Sequence, residues 1–374
     1  MSRDVRYYPA QPLKIFTADV FKAHDLSDEH AATVAETLVR ANLRGVDTHG
    51  VARIASYVER FRTELVNPRP NLSCTSRMAW AVAVDGDNAM GPVVAQHAMN
   101  EALARADEFG VGGATARRSN HFGAASLFAI QAVQHGCIGV VMSPASKSLA
   151  PFGSMEPLFG TNPIAVATPA GKHAPWVMDM ATSIAARGHI RMAARRDDAI
   201  PEGWALDAEG RPTTDANQAL AGVMLPFAGP KGSALAMMID IFGGVLSGSA
   251  FGGEIRDMTR DFDAPQDVGH FFLAFKVDSF LPLAEFDARM ESEIARLKRL
   301  KPAAGFDEVL YPGEPEARKE ALRGSTGVPL TPEVITALET LAADLNLTLP
   351  EGRSEPLAPA DGSAEAPSAL RATG

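Results

Sequence analysis

AWAVAVDGDNAMGPVVAQHAMNEALARADEFGVGGATAR, residues 79–117, decides how the chain is read. The stretch 79–86 alternates apolar and small residues and predicts a strand ended by a turn. Gly91 and Pro92 then open a helix running to about Phe109. Proline presets the first helical turn and lacks the N–H that has no partner there. Gly110 closes that helix, and VGGATAR begins another strand. A strand, a helix and a strand in direct succession point to an α/β core. The pattern continues downstream with a helix over 123–135 closed by Gly136, then the strands CIGVVMS, IAVATP and APWVMDMA. A long helix over 231–247 and the strand HFFLAFKV follow.

Upstream of this core, residues 16–43 predict helix, with Ser27 as N-cap and Ala31, Val34, Ala35 and Leu38 on one face. Helix continues or restarts over 48–63, and the Pro-rich stretch 64–80 reads as a connection. Downstream, 283–300 and 331–346 are amphipathic helices. The expected organisation is an N-terminal helical segment (1–78), an α/β domain (79–282) and C-terminal helices (283–350) that pack with the N-terminal segment. A tail (351–374) rich in Ala, Pro, Gly, Ser and Glu is expected to be disordered.

The 374 residues carry a formal net charge of −10. A general nucleic-acid binder is usually basic, so that class is disfavoured. An acidic protein that handles an anionic ligand must concentrate positive charge at chosen arginines and lysines. The two cysteines, Cys74 and Cys137, lie far apart and form neither a disulfide framework nor a metal spacing. The nine histidines include no HExxH pair. The acidic segment 201–216 lacks the spacing of a calcium loop, so Asp207 and Asp215 read as turn residues and no metal is expected. The N-terminus has no apolar signal-like run, and the apolar stretch 232–250 is interrupted by Asp240. A soluble cytoplasmic protein, bound to no membrane, is the expectation.

Chemistry concentrates in four stretches. RGVDTHGVAR, residues 44–53, places Arg53 four positions after His49. On a helix the two side chains share a face one turn apart, so a proton carrier stands beside a planar anion clamp. That pairing suits a small carboxylic acid; the plainer reading is a surface histidine and arginine. RSNHFGAASLFA, 118–129, ends a strand at His121 and starts a helix with small residues, where backbone N–H groups admit a phosphate. PLFGTNPIAVATP, 157–169, makes a rigid polar turn at Gly160–Pro163. LPFAGPKGSALAMMIDIFGGVLSG, 225–248, places Lys231 at a helix start, which adds a positive charge where anions gather. Met237 and Met238 read as core packing. No GxGxxG fingerprint and no Walker A loop occur anywhere, so a dinucleotide binds through another scaffold or not at all.

Together G-V-D-T-H-G-V-A-R, S-N-H-F-G-A-A, L-F-G-T-N-P-I-A, V-M-D-M-A-T-S, P-E-G-W-A-L-D, P-K-G-S-A-L and Y-P-G-E-P-E resemble the type 2 malate/L-lactate dehydrogenase family. That family includes ureidoglycolate and sulfolactate dehydrogenases, diketogulonate reductase and the piperideine/pyrroline-2-carboxylate reductases. The resemblance covers about residues 12–347. It implies an NAD(P)-binding domain on a mixed sheet unlike the Rossmann fold, a mostly helical domain built from both ends of the chain, and a homodimer. It implies NAD or NADP as cofactor, NAD being slightly favoured, and a small carboxylic acid as substrate. His49 and His121 are the two implied proton carriers, with Thr48 beside the first. Arg53, Ser146 and Thr161 are implied substrate contacts. His121, Phe122, Gly123, Ala124, Met178, Asp179, Met180, Lys231, Pro312, Gly313 and Glu314 are implied cofactor contacts. Thr48 stands where many members have serine, and His189 where the imine reductases have an aspartate. The expected activity is interconversion of a 2-hydroxy acid and its 2-oxo acid. The rivals are reduction of cyclic imino acids and a catalytically silent binding protein on the same scaffold.

Overall fold

Seven strands form the central sheet, in the order Ser73–Met78, Ala81–Asp85, Val111–Ser119, Val268–Lys276, Cys137–Met142, Ile164–Thr168, Trp176–Met180. Only Ala81–Asp85 and Val111–Ser119 run parallel; every other neighbouring pair is antiparallel. The parallel pair is the one joined by a helix, Gly91–Phe109, as a crossover requires. That helix buries Val94, Ala95, Ala98, Met99, Ala102 and Ala106, a nearly all-small face. A Cβ at Gly112 would collide with the Ala102 carbonyl, so the helix lies against its strand at a distance that only glycine permits. Gly110, with φ 79°, ends the helix in the left-handed conformation.

The structure, a computed structural model, describes residues 5–357. Of the tail expected to be disordered over 351–374, Arg353 exchanges both backbone hydrogen bonds with Tyr7, at 2.8 and 3.0 Å, and 358–374 lie outside the described residues. The chain divides into two compact units. One runs through Glu59 and resumes at Glu316, and the other is Arg60–Pro315. In the first, Arg6–Tyr8 pairs antiparallel with Val328–Leu330, and helices Ala10–Lys22, Asp28–Leu43 and Pro332–Leu345 surround the pair in sequence. In Asp28–Leu43, Ser27 Oγ accepts the N–H of His30 at 3.2 Å, and Ala31, Val34, Ala35 and Leu38 are fully buried. Among the described residues no helix is long and apolar enough to cross a membrane.

Several expected elements differ. The helix expected over 16–43 is two helices, because Asp25 takes a left-handed φ of 66° and breaks the chain between them. Ser73–Met78, expected as connection, is an edge strand exposed along its whole length. Such a strand has no buried face, hence no alternation to read. The helix expected over 123–135 is two four-residue turns, Ser126–Ala129 and Gln131–Gln134. The helix expected over 231–247 is Pro230–Asp240 followed by a wider π turn, Ile241–Val245. Residues 205–224 add a small three-stranded sheet. Within it Asp207 Oδ1 accepts the N–H groups of Glu209 and Arg211, and Asp215 caps Ala216–Ala221, both turn roles.

Candidate active site

In the first unit, helix restarts after Leu43 only through two short turns, so His49 and Arg53 do not share one α-helical face. Asp47–His49 and Val51–Arg53 are tight 3₁₀ turns separated by Gly50, and the α-helix begins only at Ile54. Asn42 builds this shape. Its Oδ1 accepts the N–H of Val51 at 2.8 Å and its Nδ2 donates to Asp47 at 2.7 Å. A Cβ at Gly50 would collide with the Asn42 amide, so glycine is required there. Arg323 binds the Asp47 carboxylate and the Asn42 carbonyl from the C-terminal segment.

The result folds Arg53 back: its Nε donates to the Thr48 carbonyl at 2.6 Å. Thr48 Oγ1 and His49 Nδ1 lie 3.0 Å apart in a hydrogen bond. Burial and then the Arg53 charge push the His49 imidazole down to about 4, so it is neutral at pH 7. Tyr57, one helical turn after Arg53, is buried, and that burial raises its phenol.

In the second unit, the loops that carry most of the expected residues leave one end of the sheet. Ser119 pairs with Val268, Met142 with Phe271 and Ile164, and Ile164 with Met180. Beyond these partners lie Asn120–Ala124, Ser143–Ser146, Gly160–Pro163 and the segment after Met180. Hydrogen bonds tie the last three into a chain. Ala145 donates to Asn162 Oδ1 at 3.0 Å, Asn162 Nδ2 to the Ala236 carbonyl at 2.9 Å, and Thr182 to the Thr161 carbonyl at 2.8 Å. Phe227 N–H reaches the Thr182 carbonyl at 3.0 Å, just before the helix that starts at Pro230. Ser146, Thr161 and the start of the Lys231 helix are thereby set on one framework.

Other expected residues are used differently. Phe122 is core: it stacks on His270 at 4.5 Å and on Phe128 at 5.3 Å. The backbone N–H groups read as a phosphate cradle after His121 are partly spent within the molecule. Gly123 N–H faces His121 Nδ1 at 3.4 Å, and Ser126 N–H donates to Asp179 at 3.0 Å. At the Lys231 helix, the N–H groups of Lys231, Gly232 and Ser233 already bond carbonyls of residues 227–229. Attraction for an anion there falls to the exposed Lys231 ammonium. Beside the Gly229 turn opens a cavity of about 650 Å³ with an apolar lining that includes Phe152, Met155, Ile184 and Leu225.

Pro312–Glu314 lies away from Met180, against the other half of the edge strand. Val177 N–H donates to the Pro312 carbonyl at 3.0 Å, and a Cβ on Gly313 would meet Val177 at 2.8 Å. The Glu314 carboxylate is buried and held by Lys298 at 3.0 Å. Three residue steps along the strand separate Val177 from Met180, about 10 Å.

Sequence reasoning missed His270. It is fully buried, with Nδ1 2.9 Å from Ser143 Oγ and Nε2 2.9 Å from Ser119 Oγ. It thus bolts together the two strand ends that lead to His121 and Ser146. The signal was a histidine inside the otherwise apolar run GHFFLAF, because a buried polar ring needs partners. Burial pushes its imidazole down to about 3. An unfolded histidine titrates near 6.5, so the stabilising difference is complete above that pH and is lost as pH falls toward 3. His270→Asn should flatten the acid limb of the stability profile below pH 6.5, by an amount that approaches about 1.4 kcal/mol per pH unit near pH 5. An unchanged slope would mean that another group sets acid sensitivity.

A family model described as malate/L-lactate dehydrogenase matches residues 8–339. The chain belongs to the malate/L-lactate dehydrogenase family. It is therefore an oxidoreductase of the dehydrogenase class. A solved sulfolactate dehydrogenase from Methanocaldococcus jannaschii superposes with a TM-score of 0.87 at 33% identity, covering 92% of this chain and 98% of that one. Ureidoglycolate dehydrogenase (NAD(+)) of Escherichia coli K12 is 36% identical over 309 residues, 83% of this chain and 88% of its own. A Delta(1)-pyrroline-2-carboxylate reductase of Burkholderia multivorans is 32% identical over 328 residues, 86% of this chain and 94% of its own. Malate/L-lactate dehydrogenase relatives thus include both hydroxy-acid dehydrogenases and an imino-acid reductase.

Proposed function

We propose that this chain interconverts a small 2-hydroxy acid, of malate, lactate or sulfolactate type, and its 2-oxo acid with NAD or NADP. The observation that carries this reading is the set of loops at one end of the sheet, where hydroxyls, an exposed lysine and an exposed Asp179 stand on a hydrogen-bonded framework. That donor set fits a dinucleotide: Lys231 for phosphate charge, Asp179 for hydroxyl groups, Ser146 and Thr161 near the reacting end. The missing glycine fingerprint is no obstacle. It belongs to a parallel strand-to-helix turn, and the strands that carry this framework are antiparallel. When bound, the nicotinamide supplies a hydride acceptor or donor.

In this reading Arg53 binds the substrate carboxylate through its terminal nitrogens, since its Nε is held by the Thr48 carbonyl. Thr48 accepts from Nδ1–H of His49 and so orients the ring, with Nε2 the nitrogen assigned the hydroxyl proton. His121 is the competing proton carrier. A His49 depressed to about 4 is ready as a base, so oxidation starts from the populated form and reduction needs a proton delivered. kcat/KM for oxidation should hold steady down to about pH 5 and fall only as pH approaches 4. kcat/KM for reduction should decline with rising pH across the neutral range. An oxidation limb centred between pH 6 and 7 would assign the proton to another group.

The function is tested with a panel of 2-hydroxy, 2-oxo and cyclic imino acids assayed with both cofactors. Lys231→Ala should weaken NAD(P)H binding more at low salt than at high salt, because attraction to an exposed charge is screened. Unchanged affinity at low salt would remove Lys231 from the cofactor site.

The pyrroline-2-carboxylate reductase relative favours a second reading, reduction of cyclic imino acids. His189 argues against it: the side chain is exposed beside Trp204, with ring centres 6.4 Å apart, and brings no fixed negative charge to steady an iminium. We expect higher kcat/KM on an open-chain 2-oxo acid than on pyrroline- or piperideine-2-carboxylate, and a relative gain on the imines for His189→Asp. A tenfold or greater preference of the wild type for an imine would reverse the assignment.

A further inference from the structure

At the edge of the sheet opposite Trp176–Met180, a thiol, an imidazole and a carboxylate meet. Cys74 lies on the edge strand Ser73–Met78; His97 and Glu101 stand one turn apart on the helix Gly91–Phe109. Their ligand atoms all lie within 4.8 Å of one another. Cys74 Sγ and His97 Nε2 are 3.3 Å apart. Two such atoms on one tetrahedral zinc, with Zn–S near 2.3 Å and Zn–N near 2.05 Å, would be about 3.6 Å apart. A shift of a few tenths of an ångström therefore opens the pair around a cation.

We propose that Cys74, His97 and Glu101 form a site for one divalent cation of the zinc type, with water in the fourth position. The third ligand is already oriented. Arg105 donates to Glu101 Oε2 at 2.6 Å and to Ser76 Oγ at 3.1 Å, so it holds the carboxylate from outside while Oε1 remains to bind. Cys74 is a free cysteine whose thiol carries a proton. The cation displaces that proton to solvent and takes the thiolate, so thiolate and carboxylate together balance its two charges. Cys74 is exposed and His97 and Glu101 are half-buried, which leaves an entry path. Six strand spacings, about 29 Å, separate this edge from Met178–Met180. None of the site's three ligands is among the residues assigned to the dehydrogenase chemistry. Its effect is to clamp an otherwise exposed edge strand to the crossover helix.

The test uses the full chain, stripped with a chelator and titrated with Co²⁺ alone. Wild type should bind one cobalt per chain with a thiolate-to-cobalt charge-transfer band and the visible bands of tetrahedral cobalt, and Zn²⁺ should displace it. Cys74→Ser should abolish the charge-transfer band, and Cys137→Ser, at the other and buried thiol, should keep it. His97→Gln and Glu101→Gln should each weaken cobalt binding at least about tenfold, since even an outer partner of a ligand is worth that much. Absence of the band in wild type overturns the proposal. So does a band undiminished in both His97→Gln and Glu101→Gln.

Discussion

Replacing His49 by alanine lowers turnover of the 2-hydroxy acid roughly 10²–10⁴-fold, the usual contribution of a positioned acid or base. Cofactor affinity barely moves. The expectation rests on an imidazole whose Nδ1 is committed to Thr48 and whose charge is suppressed by burial and by Arg53. Thr48→Ala separates orientation from proton transfer: it should lower kcat by less than the loss of the ring and leave the profile's pKa in place. If His49→Ala turns over near wild type while His121→Ala is inactive, the proton belongs to His121.

Loss of Arg53 has the second large effect. Arg53→Ala should cost about 2–5 kcal/mol in kcat/KM, the range for truncating one partner of a buried charged contact. Arg53→Lys should recover little of it. A lysine is a point charge that cannot hold the Thr48 carbonyl and a carboxylate through separate nitrogens of one planar fork. The same alanine variant carries a second signature. The Arg53 charge is one of two causes that depress His49, so its removal should move the oxidation limb to higher pH. Less than tenfold loss with every accepted acid would exclude Arg53 as the carboxylate anchor.

Much of this was legible in the sequence because its physics is local. Gly91-Pro92 and Gly110 mark the crossover helix by conformational rules that hold in any context. Ser27 marks a helix start in the same way. What failed to show was set by distant partners. Nothing within 44–53 says that Asn42 and Arg323 will break the helix at Gly50 and turn Arg53 back on Thr48. Phe122 reads as a loop residue beside His121 until His270, far along the chain, stacks on it. Strand direction was likewise hidden. The alternation of strands and helices implied an α/β core but left each direction open; one pair of the central sheet alone is parallel, and the strands from Cys137 to Met180 follow one another through loops instead of crossover helices.

The position of Val268–Lys276 in the middle of the sheet bears on how the chain is made. A ribosome delivers Ser73–Ser119 and Cys137–Met180 long before it delivers this strand, yet the strands of these two three-stranded pieces are joined into one sheet only through it. Until Lys276 clears the exit tunnel, each piece presents an unpaired inner edge, at Val111–Ser119 and at Cys137–Met142, both rich in small apolar residues. Bare edges of that kind pair with neighbouring chains. Translation thus passes through a long window in which nascent copies on one message can cross-pair. A stall or premature stop anywhere between Met180 and Val268 releases two half-sheets whose strands have no native way to pair with each other.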